Sequence, residues 1–388
     1  MDLTESGTEP VDINIDELFS AYFPLPYRVI STLLIGIWAW GLSLYILSAV
    51  RIDVESLLRF NVQHAGPPLY KSVFQIGTVL TLIYSVNGVL YWISGYTRTV
   101  FHVLGVDLFP LLCFFTIPIV FFYPGIAFRQ SGRYRFLRTL RRISIGGLDR
   151  ESRFADVLAA DALTSYTKVL GDVWIMSCML TSRRSIAEIP DRTCGGRLVV
   201  PIIISVPYAI RLRQCLIDYI RSGGQQRVHL LNAAKYSTTF PVIFLSVFQR
   251  SIGFEKLGVY HLWVLSMIVN SVYSFYWDVA MDWDLTLFET SVKSSSNRGL
   301  RSILHFPPSF YYAAIGLDFI LRFTWSLKLS PHLYFLNDFE GGVFVLEVLE
   351  LLRRWIWLVL RIETEWIRTT SSGRLPVSDV PMVHEAKD

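Results

Sequence analysis

Glu347, Glu350, Arg353 and Arg354 interrupt an apolar stretch over 343–360, VFVLEVLELLRRWIWLVL. The run is long enough to cross a membrane as a helix. A central arginine costs roughly 2.5–3.5 kcal/mol on insertion scales, so such residues face protein or water rather than lipid. Glu350 stands three and four residues before the arginines, which puts all three on one helical face. Two guanidinium groups carry more positive charge than one carboxylate neutralises. Inside a bundle that surplus suits an anion pathway. A surface helix with ordinary salt bridges is the alternative from this stretch alone.

Other charges interrupt other apolar runs. In HLLNAAKYSTTFP, 229–241, Lys235 and Tyr236 stand at a helix mouth before Ser237, Thr238 and Thr239. A lysine, hydroxyls and free N–H groups there can bind an oxyanion. On chemistry alone the same residues read first as a cap with a snorkelling lysine. SFYWDVAMDWDLTLF, 274–288, sets Asp278 and Asp282 one turn apart on one face. They can pair with arginines, hold a cation or carry a proton. Asp282-Trp283-Asp284 also spells the DxD of glycosyltransferases, a short motif of low specificity. Asp318 and Arg322 form an i,i+4 pair beside Trp325, either a gate or an anchored ion pair. FADVLAADALTS puts Asp156, Asp161 and Thr164 at a helix entrance, where a carboxylate also suits the helix dipole. No Ser-His-Asp arrangement, P-loop, HExxH or dinucleotide-binding glycine motif is present, so catalysis is not indicated. No cofactor or metal is expected.

The elements that must position these residues are membrane helices. The chain has 388 residues, 52% hydrophobic and 14% aromatic, with a mean hydropathy of +0.41. That exceeds the apolar share of soluble domains. Apolar runs predict nine spans near 28–50, 71–93, 106–128, 159–180, 198–220, 232–248, 260–280, 311–329 and 343–360. The fold class is therefore all-α, a polytopic membrane helix bundle. Pro201 and Pro207 predict a kinked, partly unwound fifth span. The net charge of +4 arises from loops rather than a nucleic-acid surface, and no nucleic acid is expected as a partner.

The loop 129–153 holds eight arginines against Asp149 and Glu151, which places it in the cytoplasm. It reads as an amphipathic helix on an anionic leaflet or as a solvated loop. Residues 1–27 form a short acidic tail, expected to be lumenal and not a cleavable signal peptide. The membrane domain covers 28–367, and 368–388 is a polar cytoplasmic tail. Cys113, Cys178, Cys194 and Cys215 are scattered without a CxxC pair, so neither a disulfide framework nor a zinc site is expected.

The order FADVLAADALTS, PYAIRLRQCL, HLLNAAKYSTTF, SFYWDVAMDW, LRFTW and ELLRRWIW resembles the EXS family of membrane proteins, over roughly 31–368. That family includes eukaryotic phosphate exporters, most of which begin with a soluble SPX sensor. Only a short tail precedes the first span here, so the chain resembles the short fungal Golgi branch, the ER-retention-defective proteins. The resemblance implies a multi-pass protein of the Golgi membrane, with the ER as a second location. Its implied role is to return inorganic phosphate from lumen to cytosol, in support of glycosylation and of retention of ER lumenal and Golgi proteins. A non-transporting scaffold that retains Golgi glycosyltransferases is the alternative, and a metal-dependent glycosyltransferase using Asp282 and Asp284 a third.

Matched motif by motif, the resemblance implies that Arg211, Lys235, Tyr236, Arg322, Arg353 and Arg354 bind phosphate. Asp161, Asp278, Asp282 and Glu350 would orient those cations, and Trp325 would gate. Thr164 stands where the exporters carry asparagine, and CLIDYIRSG replaces their more basic CLRRYRDT, which implies different cytoplasmic control. Implied partners are phosphate, the bilayer, Golgi glycosyltransferases or their sorting adaptors, and a second copy of the chain as a homodimer.

Overall fold

In lipid a backbone must satisfy its own polar groups, and a helix does so within one segment. A computed structural model describes residues 15–59, 68–96, 101–123, 125, 130–147, 152–252, 257–288, 299–324, 326 and 339–372. Among the described residues there are helices and no strand, as the apolar runs predict.

α1 (Ile15–Tyr22) packs at the start of α2 (Leu25–Ala49), and the short α3 (Val54–Leu57) follows. α4 (Leu69–Tyr96) and α5 (Phe101–Phe122) pack on α2, and α6 (Gln130–Ser144) forms within the basic loop. α7 (Arg153–Ser165) and α8 (Thr167–Thr181) share the fourth pass. α9 (Val199–Arg221) is the fifth, and α10 (Arg227–Ser237) and α11 (Thr239–Ile252) share the sixth. α12 (Leu257–Tyr276) runs into a π-helical turn, Trp277–Asp282, before α13 (Pro308–Arg322) and the long α14 (Glu340–Ser371).

Polarity is inverted relative to a soluble bundle. Leu82 and Val86 of α4, Phe115 and Ile119 of α5, and Leu265 and Val269 of α12 are exposed, while Asp161, Arg211, Asp278, Asp318 and Arg353 are each at most 4% exposed. An apolar outer surface around a charged interior matches lipid outside and a polar path within. Among the described residues three helices, α2, α4 and α9, are long and apolar enough to cross a membrane on length and composition alone.

The breaks do not fall where proline predicts. α9 continues through Pro207 as one helix, whereas the fourth and sixth spans break at Tyr166 and Thr238. Tyr166 sits at φ −95° and ψ 11°, outside the helical basin. Its phenol packs against Gly36 of α2, where an added Cβ would lie 1.7 Å from the hydroxyl oxygen. Glycine there admits the ring, and the helix turns at the contact.

α6 is helical, and it docks onto the bundle rather than lying free. Ile143 is fully buried with Ala160 of α7 and Ile210 of α9. Arg133 donates to the carbonyls of Val120, Tyr123 and Gly125 at 2.7, 2.8 and 2.9 Å, satisfying acceptors at the end of α5. Arg142 holds Asp156 of α7 in a two-pronged pair.

At the opposite end Cys178 and Cys194 form a disulfide, Cα–Cα 6.0 Å, which corrects the expectation of unpaired cysteines. Their separation of 16 carries no motif; the loop after α8 folds back to bring them together. In that loop Asp191 accepts from the Thr193 hydroxyl and N–H, which holds its carboxyl below the usual range. Gly195 and Gly196 adopt φ of +81° and +104°, where glycine is favoured, and turn the chain into α9.

Candidate functional site

The inward face of α14 meets the π-helical turn and α13 across a buried ion-pair layer. Arg353 donates from Nη2 to Glu350 at 2.6 Å and from Nη1 to Asp318 at 3.1 Å, and the same Nη1 is 3.5 Å from Asp278. Arg322 donates from Nε to Asp318 at 3.1 Å and pairs through Nη2 with Asp278. Asp318 therefore bridges two arginines, one on its own helix and one on α14. Sequence spacing revealed its pairing with Arg322 but not its place at the centre of this layer.

The π-helical turn aims its carboxylates toward α10. Lys235 Nζ lies 3.9 Å from Asp278 and 3.8 Å from Asp282, under the rings of Tyr236 at 4.7 Å and Trp277 at 5.5 Å. The lysine is buried, so it does not snorkel to an interface. The neighbouring hydroxyls are committed elsewhere: Thr238 and Thr239 both donate to Asn270 of α12, at 2.8 and 3.1 Å, and Ser237 donates to its own helix. An oxyanion cradle built from those three hydroxyls, one expectation from the sequence, is not what the structure forms.

A third group lies on α9. Arg211 donates from Nε to Asp161 of α7 at 2.7 Å and to the Tyr236 hydroxyl at 3.1 Å, and Nη1 bonds Gln214. Tyr236 in turn donates to Asp161. Arg213, two residues on, faces away and donates to Ser144 and Gly146 carbonyls past α6.

Arg354 differs from all of these. Its Nε donates to the Ser165 hydroxyl at 2.9 Å and Nη2 to the Thr164 hydroxyl at 3.0 Å, while the guanidinium lies 4.6 Å from the Trp357 ring centroid. Among the described residues it makes no ion pair. Thr164 and Ser165 end α7, where the helix dipole presents partial negative charge. Half a dipole charge and two hydroxyl oxygens thus hold a cation that, among the described residues, touches no carboxylate directly. Glu350, expected between the two arginines, pairs with Arg353 and accepts from Ser165 at 2.8 Å. The twin arginines thus point to different neighbours, Arg353 to α13 and Arg354 to α7.

Arg211, Lys235, Arg322, Arg353 and Arg354 together face Asp161, Asp278, Asp282, Asp318 and Glu350, so the layer is balanced as a whole and positive locally at Arg354. An open cavity of about 780 Å³ reaches Arg211 and Asp282 from the α6 end, with Arg153, His229, Arg361 and Arg368 on its walls. Arg361 links it inward, 3.7 Å from Asp282 and 3.1 Å from Glu365. Trp325, the expected gate, lies outside the described residues. Sequence reasoning missed Ser165, Gln214 and Arg361 as members; a hydroxyl ending a broken helix carries no motif.

The model of the EXS family matches residues 23–367. The chain is 31% identical over 383 residues to Protein ERD1 homolog 1 of Schizosaccharomyces pombe, covering 94% of this chain and 97% of that one. It is 37% identical over 238 residues to Protein ERD1 of Kluyveromyces lactis, 56% of this chain and 60% of that one. To Solute carrier family 53 member 1 of Homo sapiens it is 27% identical over 342 residues, which is 83% of this chain and 47% of that longer protein. The chain spans about half the length of that relative.

Proposed function

The chain belongs to the EXS family, and on that premise we propose that it is a Golgi membrane transporter for inorganic phosphate, moving it from the lumen to the cytosol. A relative named as a solute carrier supports carriage of a small solute. The observation that carries the anion assignment is Arg354, a guanidinium with hydroxyl and aromatic partners and, among the described residues, no direct ion pair.

Phosphate fits this arrangement because arginine binds two of its oxygens in parallel while lysine offers a point charge. Removing one partner of a buried pair is costly, about 3–5 kcal/mol, because it strands the other charge. An arriving anion that displaces a carboxylate leaves that carboxylate to pair with a neighbouring cation, Asp318 with whichever of Arg322 and Arg353 remains and Glu350 with the Ser165 hydroxyl and Arg354 nearby. Arg354 gives it a first cation; Arg353 and Arg322 can then exchange Glu350 or Asp318 for phosphate oxygens, and Lys235 and Arg211 continue the series toward the open cavity. The carboxylates keep the empty path neutral enough to release its cargo.

Sidedness follows from two features. The arginine-rich α6 end suits the cytosol, and the disulfide end suits an oxidising lumen. The cavity at the α6 end then faces the cytosol. Return of phosphate in this direction would support lumenal glycosylation and, through it, retention of resident proteins. Binding is tested by thermal unfolding of the purified chain: millimolar phosphate, but not chloride, raises the midpoint. Arg354→Ala loses that response. An equal response in Arg354→Ala refutes the assignment.

A further inference from the structure

A second set of buried charges, outside the phosphate site, occupies the disulfide end. Glu340, in the first turn of α14, accepts from Arg28 of α2 at 2.7 Å and from Arg192 of the disulfide loop at 2.8 Å on each oxygen. Arg192 also reaches Asp172 of α8 at 3.2 Å. Two turns along α14, Glu347 is 4% exposed, and its Oε1 has no hydrogen-bond partner among the described residues.

The groups facing Glu347 are Asp172 and Lys168 from α8, Arg192 from the loop and Arg28 from α2, with Glu340 on its own helix. Lys168 is exposed to the surroundings. Three buried carboxylates, Asp172, Glu340 and Glu347, thus meet two arginines, Arg28 and Arg192, that bond to the first two. A buried carboxylate oxygen that accepts no hydrogen bond, set among other carboxylates, favours the neutral, protonated carboxyl. Asp278 and Asp282, which the spacing also nominates for proton work, each lie within 4 Å of Lys235 and stay ion-paired.

We propose that Glu347 carries one proton with each phosphate, making the chain a proton-coupled carrier loaded from the disulfide end. The proposal rests on the phosphate reading above and adds a coupling ion and its site. Glu347, Glu350 and Arg354 follow at i, i+3 and i+7 along one face of α14, so the proton site adjoins the anion site. The step is a proton transfer without redox change. An O–H bond forms at the Glu347 carboxylate from lumenal hydronium, and it breaks later to water or to the phosphate dianion on the cytosolic side.

The test uses the full chain in proteoliposomes, with radiolabelled inorganic phosphate, a trapped pH dye and the membrane potential clamped. Expected for the wild type is phosphate-dependent proton entry and accumulation of about tenfold per unit of pH gradient, the ratio that one proton per phosphate sustains. Glu347→Gln is expected to keep phosphate–phosphate exchange at equal pH and to lose both gradient effects, while Glu347→Asp retains them. A gradient response equal in wild type and E347Q is titration of phosphate itself and overturns the coupling. Wild-type flux with no phosphate-dependent proton entry overturns it too, whether or not E347Q folds, and leaves the phosphate reading standing. No wild-type phosphate flux overturns both.

Discussion

Replacing Arg353 or Arg354 by alanine should abolish transport in both cases and destabilise the protein in only one. Arg353 is enclosed by Glu350, Asp318 and Asp278, all buried or inward-facing. Its loss leaves Glu350 with only the Ser165 hydroxyl, and Asp318 with only Arg322, and breaking a buried pair costs about 3–5 kcal/mol. Against a total stability of roughly 5–15 kcal/mol that is a large fraction. Arg354 donates to two hydroxyls whose own protons are already placed, Thr164 on the Asp161 carbonyl and Ser165 on Glu350. Its removal therefore strands no charge and forfeits mainly the stacking on Trp357, about 0.5–2 kcal/mol. Thermal unfolding in detergent should show a midpoint lowered by roughly 4–6 °C for Arg353→Ala, and by much less for Arg354→Ala. Equal midpoints for the two variants, or the reverse order, would refute the division into a paired and an unpaired arginine.

Asp318→Asn keeps the shape of the layer and removes one negative charge between Arg322 and Arg353. The concentration for half-maximal phosphate flux should fall by about tenfold, since one unit charge a few ångströms away is worth up to about 4 kcal/mol at an effective dielectric of 20, and maximal flux should fall with it as release slows. An unchanged or higher half-saturation would contradict the carboxylates' role as exchangeable partners. The disulfide closes a loop of about the size for which loss costs roughly 3 kcal/mol. Cys178→Ser with Cys194→Ser should therefore unfold at lower temperature, and native protein should resist thiol labelling at both positions until reduced. Free labelling without reductant would remove the lumenal assignment of that end.

The helical bundle and its charged interior were legible because hydropathy and a charge in an apolar run are local properties. So was the pairing of Glu350 with Arg353 and of Asp318 with Arg322, each within one turn. What spacing cannot convey is which distant helix completes a pair. Asp318 meets Arg353 across 35 residues, and Arg28 meets Glu340 across 312. The helix breaks were also hidden, because Tyr166 and Thr238 are neither glycine nor proline; Gly36 on another helix admits the tyrosine ring. Pro207 misled in the other direction, since α9 absorbs it without ending. Cys178 and Cys194 lack any motif because their bridge depends on the fold of the loop between them.

The claim that the chain moves phosphate past an unpaired arginine is tested most directly by flux of radiolabelled phosphate into proteoliposomes containing the full chain. The account predicts saturable uptake above empty vesicles, unaffected by excess chloride, and its loss in a folded Arg354→Ala protein. Uptake no greater than in empty vesicles, or undiminished in that variant, would contradict it.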